Sequence, residues 1–579
     1  MSVPGMRRAA VGLVALAATA LGTVAANPSQ AEAGPKPVDV KLLAINDFHG
    51  NLEPPTGSSG TIAGQPAGGA EYLATQLAKL RGTTEEEQER TITVAAGDLI
   101  GASPLLSAAF HDEPTIEEMN LAGLEFTSVG NHEFDEGATE LLRMQNGGCH
   151  PVDGCADGTP FEGAKFQYLS ANAFKTATGQ PLLPPYGIKK VDGVKVGFIG
   201  MTLEGTPQIV SQQGVAGLTF ADEAETANKY ARILRAQGVQ TIVVLLHEGG
   251  VQNGGGINDC TGFSGPIVDI ANRMDPSIDV IVSGHTHAAY NCNINGKLVT
   301  SASSFGRLVT DIDLQIDRRT GDVLTAKANN VVVTRDVAKD PATTDLINRY
   351  KTALGPVADK VVGETTSAIT KTQENLYQTG VDANGKPTYQ TGESPLGNLI
   401  ADAQLAATDN EQNAVAAFMN PGGVRADLDA GPVTYAEAFT VQPFANNLVT
   451  LDLTGAQLYC MLEQQFTVAR VLYASSTVHY VVDPNGTTAA AGAPCGGTRV
   501  VRGSLTINGA PVTDTATYRV TVNNFLSGGG DGFSVLTGGT NPVTGMIDLD
   551  AFTAYLTEKS PVSAPTLNRI QTTTEVPAA

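Results

Sequence analysis

Five short polar clusters close apolar runs in this chain: Asp47-x-His49, Gly97-Asp98, Gly130-Asn131-His132, His247 and Gly284-His285-Thr286-His287. Together they hold two carboxylates, one carboxamide and five imidazoles. Such a donor set suits zinc, manganese, iron or cobalt better than a calcium cage. It contains no thiolate, which argues against a structural zinc knot. So many donors ask for two divalent ions. Two such ions outweigh the two aspartates, and the surplus positive charge suits an anionic ligand. Water under that charge loses a proton near neutral pH and becomes a nucleophile.

The clusters need elements to bring them together. The runs KLLAIN, TITVAA, FTSVG, TIVVLL and DVIVS read as buried strands, and an open α/β sheet gathers its strand ends at one edge. Asp47 and His49 are two residues apart and point the same way if the chain there is extended. Gly97, Gly130 and Gly284 allow tight turns that bring backbone close to the site. His132 directly follows Asn131 and sits beside the donors without joining them. Asp135, three residues on, shares its face if a helical turn starts there, and a carboxylate then holds the imidazole in one tautomer. His111, His150 and His479 follow no such pattern and read as surface or hydrogen-bonded residues.

Residues 39–335 alternate strand-like and helix-like runs, the pattern of a layered α/β domain. GAEYLATQLAKLRG and EAETANKYARILRAQ are amphipathic helices; further strands fall near 167–170 and 195–200. A linker over 336–362 carries a helical stripe of Leu346, Ile347, Tyr350 and Leu354, which breaks before Pro356. A second domain, 363–579, reads as a helix over 398–407 and another near 455–466. Its strands fall near 414–419, 447–453, 499–508 and 517–523.

Net charge is −23 and the isoelectric point about 4.7, so the chain lacks the basic footprint that a nucleic acid polymer requires. Arg7 and Arg8 precede an Ala-rich apolar run from Ala9 to Ala26, and small-x-small sites follow at Val24–Ala26 and Ala31–Ala33. That is a secretory signal pattern over residues 1–33, with cleavage between 26 and 34, and no later run is apolar enough to span a membrane. The six cysteines fit an oxidising compartment. Neighbour pairing, Cys149–Cys155, Cys260–Cys292 and Cys460–Cys495, is the simplest connectivity. The chain is expected to be secreted or held at the cell surface.

NDFHG, GDLIGASP, GNHEFDEG, LLHEGG and SGHTH resemble the ordered motifs of the calcineurin-like metallophosphoesterases. The fuller match, from about Asp39 to beyond Asp531, resembles the secreted 5′-nucleotidase family. The resemblance implies a four-layer α/β/β/α domain, a connecting helix and a smaller C-terminal α/β nucleotide-binding domain. It implies one ion on Asp47, His49, Asp98 and His287. The other would lie on Asp98, Asn131, His247 and His285, with Asp98 bridging. A phosphate ester dianion suits the surplus positive charge, and metal-activated water would attack phosphorus in line, while the His132–Asp135 pair would stabilise the transition state and help the leaving group.

In the second domain, MNPGGVRADL, VQPFANN and NNFLSGGGDGF look like the nucleotide pocket of that family. The resemblance implies that Phe444 and Phe525 sandwich a base and that Asp531 holds ribose hydroxyls. Asn420 and Arg425 would contact polar groups of the ligand. Many relatives carry an arginine just before the segment matching GESPLGNLIADA; here GKPTYQTG precedes it. Nucleoside monophosphates are the first substrate expectation. A 2′,3′-cyclic nucleotide or a nucleotide sugar remains open on the same scaffold, as does a non-catalytic nucleotide-binding surface protein. With metals on one domain and base-binding groups on the other, the domains must close around substrate, hinging beside the helix at 341–354.

Overall fold

The computed structural model describes residues 36–573, apart from 56, 156, 211–213, 374–376, 382–386, 391, 445 and 491–492. The expected signal segment lies outside the described residues, as do the side chains of most of GKPTYQTG.

Two six-stranded sheets form the first domain. One runs, edge to edge, Val323–Val332, Leu308–Ile316, Val38–Ile45, Thr91–Ala96, Leu124–Ser128 and Gln167–Leu169. The other runs Ala289–Ile294, Lys297–Ala302, Val280–Ser283, Thr241–His247, Val194–Thr202 and Tyr186–Val191. The central strands of each pair in parallel. Strand periodicity shows how they stack. Leu42, Ala44, Val243, Leu245, Val280 and Val282 share one cluster between the sheets. Their sequence neighbours face outward: Leu43 and Ile45 towards the helix Ala70–Arg81, Ile242, Val244 and Leu246 towards Glu223–Ala236 and Pro266–Arg273. The order is helices, sheet, sheet, helices. Strands covered on both faces read as unbroken apolar runs, which is why TITVAA and TIVVLL show no alternation.

The connecting helix spans Pro341–Ala358 and continues through Pro356, beyond the expected break. Gly355 precedes the proline, and a residue without Cβ relieves the clash that normally ends a helix there. Leu346, Ile347 and Tyr350 belong to the first domain's core, where Tyr350 meets Phe110 edge-on at 4.8 Å. The helix is thus part of the first domain's outer layer.

The second domain has a five-stranded sheet ordered Tyr473–Ala474, Ala416–Met419, Thr517–Asn523, Asn447–Thr454 and Thr540–Ile547. Gly455–Thr467 starts on a capping box between Thr454 and Gln457, and Pro395–Ala406 starts on Ser394. The strand expected over 499–508 is reduced to Thr506–Ile507. Gly503, at φ 82°, turns the chain out of extended geometry, and Val500 makes only an isolated bridge to Val482. The domains share apolar contacts. Leu105, from the short helix Leu105–Ala108, sits in the second domain's cluster with Leu399 and Phe439. The cysteines pair as neighbours, Cys149–Cys155, Cys260–Cys292 and Cys460–Cys495.

Leu245 is fully buried between the sheets. Leu245→Ala is expected to cost about 2–5 kcal/mol, seen as a lower thermal unfolding midpoint followed by circular dichroism.

Candidate metal centre and adjoining pocket

Both sheets deliver their parallel strand ends to one place. Val38–Ile45 and Thr91–Ala96 stop two residues before Asp47 and Asp98. Leu124–Ser128 stops three before Asn131, Thr241–His247 ends on His247, and Val280–Ser283 stops two before His285. The loops then bond to one another. Asp47 N–H donates to Gly97 O, His49 N–H to Asp98 O and Gly50 N–H to Leu99 O.

Asp47 and His49 do not converge through extended chain, as their spacing suggested. Both are left-handed, at φ 50° and 48°, as are Asp98 at 47°, His285 at 72° and His287 at 55°. A left-handed residue with a side chain costs about 1–2 kcal/mol, and Asp, Asn and His bear it best. The interlocked loops impose this conformation and turn the side chains inward.

The convergence is close. His49 Nε2 lies 3.1 Å from His287 Nε2, 3.9 Å from Asp47 Oδ1 and 3.7 Å from Asp98 Oδ2. His287 Nε2 lies 3.4 Å from Asp47 Oδ1. His247 Nε2 is 2.9 Å from Asp98 Oδ2 and 3.2 Å from Asn131 Oδ1, and His285 Nδ1 is 3.0 Å from the same Asn131 oxygen. The seven side chains expected as ligands therefore stand in one cluster. Two groups, Asp47–His49–His287 and Asp98–His247–His285, each keep their donor atoms within 4.8 Å of one another.

This donor set fits divalent metal. His49 Nδ1 meets Gly101 O at 2.8 Å, and His247 Nδ1 meets Ala96 O at 2.8 Å. A ring that donates from Nδ1 to a carbonyl aims its Nε2 lone pair into the cluster. Burial pushes His49 down to about 4, and burial with the neighbouring His247 does the same for His285, which favours neutral rings. For His247, burial opposes the charged ring, but the charge and hydrogen bond of Asp98 outweigh it and raise the group to about 10.

His132 stands at the rim of the cluster. Its Nδ1 lies 2.7 Å from Asp135 Oδ2 across the short 3-10 turn His132–Phe134, the geometry expected from the three-residue spacing. Phe444 of the second domain lies near parallel to the His132 ring, with centroids 6.3 Å apart and 16° between planes. Arg425 lies over the same Phe444 ring at 5.6 Å. Asn420 Nδ2 donates to Asp531 Oδ2 at 3.2 Å, and Asn523 Nδ2 donates to Asn420 Oδ1 at 2.9 Å. Phe525 lies against Gly530, in the loop that carries Asp531. Among the described residues no ring contact joins Phe444 to Phe525.

Three residues of the site escape sequence reasoning. Glu133 is buried beneath the cluster and accepts from the backbone N–H of Asp98 at 3.0 Å, Leu99 at 2.9 Å and Gly130 at 2.5 Å. It lies inside GNHEFDEG, so the motif contains it without revealing a role. Asn523 likewise opens NNFLSGGGDGF. Arg470, whose Nη1 is 2.9 Å from Asp531 Oδ1, lies outside every motif and carries no signal.

Residues 40–289 match the family model for calcineurin-like phosphoesterase, and residues 368–538 match that for the 5′-nucleotidase C-terminal domain. The chain belongs to the 5′-nucleotidase family. Members of this family are metal-dependent phosphoester hydrolases. The chain is 34% identical over 528 residues to Endonuclease YhcR of Bacillus subtilis, covering 90% of this chain and 40% of that protein. It is 32% identical over 528 residues to Cell wall protein Lmo0130 of Listeria monocytogenes, covering 87% of this chain and 65% of that protein. It thus spans less than two thirds of either relative. The solved 5′-nucleotidase precursor from Thermus thermophilus superposes with a TM-score of 0.67 at 27% identity, covering 93% of this chain and 100% of that one.

Gly130 leaves no room for a side chain. A Cβ there would stand 2.1 Å from Asp98 Oδ1 and 2.6 Å from Asp98 N. Gly130→Ala is expected to displace Asp98 and lower metal affinity by at least about tenfold, read by metal analysis after dialysis, with unchanged far-ultraviolet dichroism.

Proposed function

We propose that this chain is an exported phosphohydrolase that holds two divalent transition-metal ions and removes phosphate from nucleotides. The observation that carries this function is the meeting of His132 and Phe444. An imidazole at the rim of the metal-competent cluster faces an aromatic ring of the domain whose motifs resemble a nucleotide pocket.

Asp47, His49, Asp98 and His287 would hold one ion, and Asp98, Asn131, His247 and His285 the other. Bound there, such ions supply Lewis-acid charge to phosphoryl oxygens and acidify water. The chain's own groups do the rest. Gly101 O and Ala96 O fix the tautomers of His49 and His247. Asp135 accepts from His132 Nδ1 and leaves Nε2 to serve the phosphoryl oxygens or the leaving oxygen. Burial opposes charge on His132, but Asp135 and Asp98 outweigh it and raise the ring to about 9, so it carries the proton this role requires. Phe444 and Phe525 offer faces to a base, Asp531 acceptors to ribose hydroxyls, and Asn420 and Arg425 polar contacts.

Export rests on the N-terminal signal pattern, on the three disulfides and on the likeness to a cell wall protein. Among the described residues no helix is long and apolar enough to cross a membrane. The relative named an endonuclease leaves cleavage of nucleic acid as a competing activity, against which stands the net charge of −23.

A substrate series decides between these activities: AMP, 2′,3′-cyclic AMP, UDP-glucose and single-stranded DNA, each with metal-depleted and then metal-restored protein. Phosphate from AMP, lost on chelation and regained with zinc or manganese, is the expected result. Turnover of the cyclic or sugar nucleotide without phosphate from AMP would replace monophosphates as the substrate. Activity indifferent to chelation would overturn the metal mechanism altogether. His132→Gln is expected to lower kcat about 10²–10⁴-fold with metal content unchanged. Phe444→Ala should raise KM for AMP while leaving KM for p-nitrophenyl phosphate nearly the same.

A further inference from the structure

Arg470, which no motif marks, belongs to a short chain of contacts that ends on Asp531. Arg470 Nη1 lies 2.9 Å from Asp531 Oδ1, and the other oxygen, Oδ2, accepts from Asn420 Nδ2 at 3.2 Å. Asn420 is held in turn, because Asn523 Nδ2 donates to its Oδ1 at 2.9 Å. Each oxygen of the carboxylate therefore has one fixed donor. An ionised carboxylate accepts about four hydrogen bonds, so each oxygen keeps a lone pair for a ligand.

The backbone is bent to bring the pair together. Asp531 stands at φ 55°, and Ala469, immediately before Arg470, stands at φ 54°. Left-handed backbone is unfavourable for a residue with a Cβ, and alanine has no polar side chain to offset it. Ala469 follows the helix Gly455–Thr467, and Arg470 N–H donates back to Gln465 O at 2.9 Å. The same helix grips the chain beyond Asp531. Gln464 Nε2 donates to Ser534 Oγ at 2.8 Å, and Gln464 Oε1 accepts from Val535 N–H at 3.2 Å. Gly532 packs so tightly on the helix end that a Cβ there would stand 2.7 Å from Val468 Cγ1.

Stability does not account for this construction. The Asp531 side chain is 11% exposed, but that of Arg470 is 49% exposed. An ion pair with one partner half in water is screened and gains little. Unfavourable backbone on both sides of a weakly stabilising pair is the signature of a functional constraint. The site it constrains is the glycine-rich turn of the nucleotide motif. A Cβ on Gly422 would stand 3.5 Å from Arg470 Nη1 and 3.8 Å from Asp531 Oδ2.

We propose that Arg470 is a positioning residue for nucleoside recognition: with Asn420 it locks the Asp531 carboxylate so that each oxygen meets one hydroxyl of a vicinal diol. The inference rests on the reading of Asp531 as the acceptor of ribose hydroxyls. An aspartate carboxylate otherwise turns in a broad torsional well, which spoils its match to two hydroxyls at once. Donors on both oxygens remove that freedom.

The test measures binding of adenosine and of 2′,3′-dideoxyadenosine to the full chain by calorimetry. Neither ligand carries phosphate, so the comparison does not depend on turnover. The unaltered chain should prefer adenosine by about 10–100-fold, the value of hydrogen bonds to a charged group. Asp531→Ala should abolish that preference. Arg470→Ala should remove most of it, with a thermal midpoint close to that of the unaltered chain, and Arg470→Lys should restore part. Arg470→Ala added to Asp531→Ala should change nothing further, because the two side chains act as one unit. If the alanine chain fails to fold, Arg470→Met keeps the stem and gives the same comparison. Full preference in the Arg470 variants, with loss in Asp531→Ala, would overturn the proposal and leave the ribose reading intact. Tighter adenosine binding by Arg470→Ala would also overturn it, since Arg470 would then compete with the hydroxyls. No preference in the unaltered chain, or an undiminished one in Asp531→Ala, would overturn the ribose reading and the proposal together.

Discussion

Asp47 and Asp98 are both fully or almost fully buried, and each faces imidazoles on more than one side. Two carboxylates withdrawn from water in one small volume repel each other and lose their hydration, a cost of several kcal/mol per ion unless positive charge meets them. The architecture around them answers that cost. Backbone N–H groups of His285 and His132 donate to Asp47 and Asp98, and Asn46 adds a side-chain donor to Asp47. Imidazoles supply the rest of the shell, those of His49 and His247 with their far nitrogens committed to backbone carbonyls. Charge that Asp98 draws onto His247 and His132 meets part of the cost, and divalent metal in the cluster would meet it directly.

The double-sheet arrangement follows from the same demand. A single sheet edge could present Asp47, Asp98 and Asn131, which follow strands of one sheet, but not His247 and His285, which belong to strand ends of the other. Packing the sheets face to face closes the shell from both sides. The interlocked loops then fix where each side chain stands, and Glu133 gathers three of the backbone donors that shape the turns. The second domain completes the surroundings through contacts such as Phe444 on His132, so the group beside the cluster is never framed by one domain alone.

Much of this is legible in the sequence because chemistry and strand ends coincide. An apolar run of five or six residues followed by Asp, Asn or His is a local pattern, and it is enough to mark the eight metal-competent groups; Asp135 follows from its spacing to His132, and the division into seven ligands is what the family resemblance implies. What depends on distant partners is not legible. The continuation of the connecting helix through Pro356 rests on Gly355, and the loss of the strand near 499–508 rests on a turn at Gly503. Arg470 reaches Asp531 only because the fold brings a helix end beside a glycine-rich loop. His111 stacks on His150 with ring centroids 3.8 Å apart, a meeting of two separate segments that nothing in either segment marks. Even Asp47 and His49 come together for a different local reason: their spacing suggests a strand, whereas turned backbone brings them in.

That turned backbone has a consequence for redesign. Five members of the cluster occupy a region of conformational space that most residues avoid, and the residue types that tolerate it well are the very ones that bind metal there. Replacing a donor by cysteine or glutamate to retune the preferred ion would therefore meet two filters at once, one electronic and one steric. The accessible alphabet at these positions is narrow, close to aspartate, asparagine, histidine and glycine. A library confined to those four would explore nearly all of the centre that the loops permit, and positions outside the loops are the places where broader variation would be absorbed.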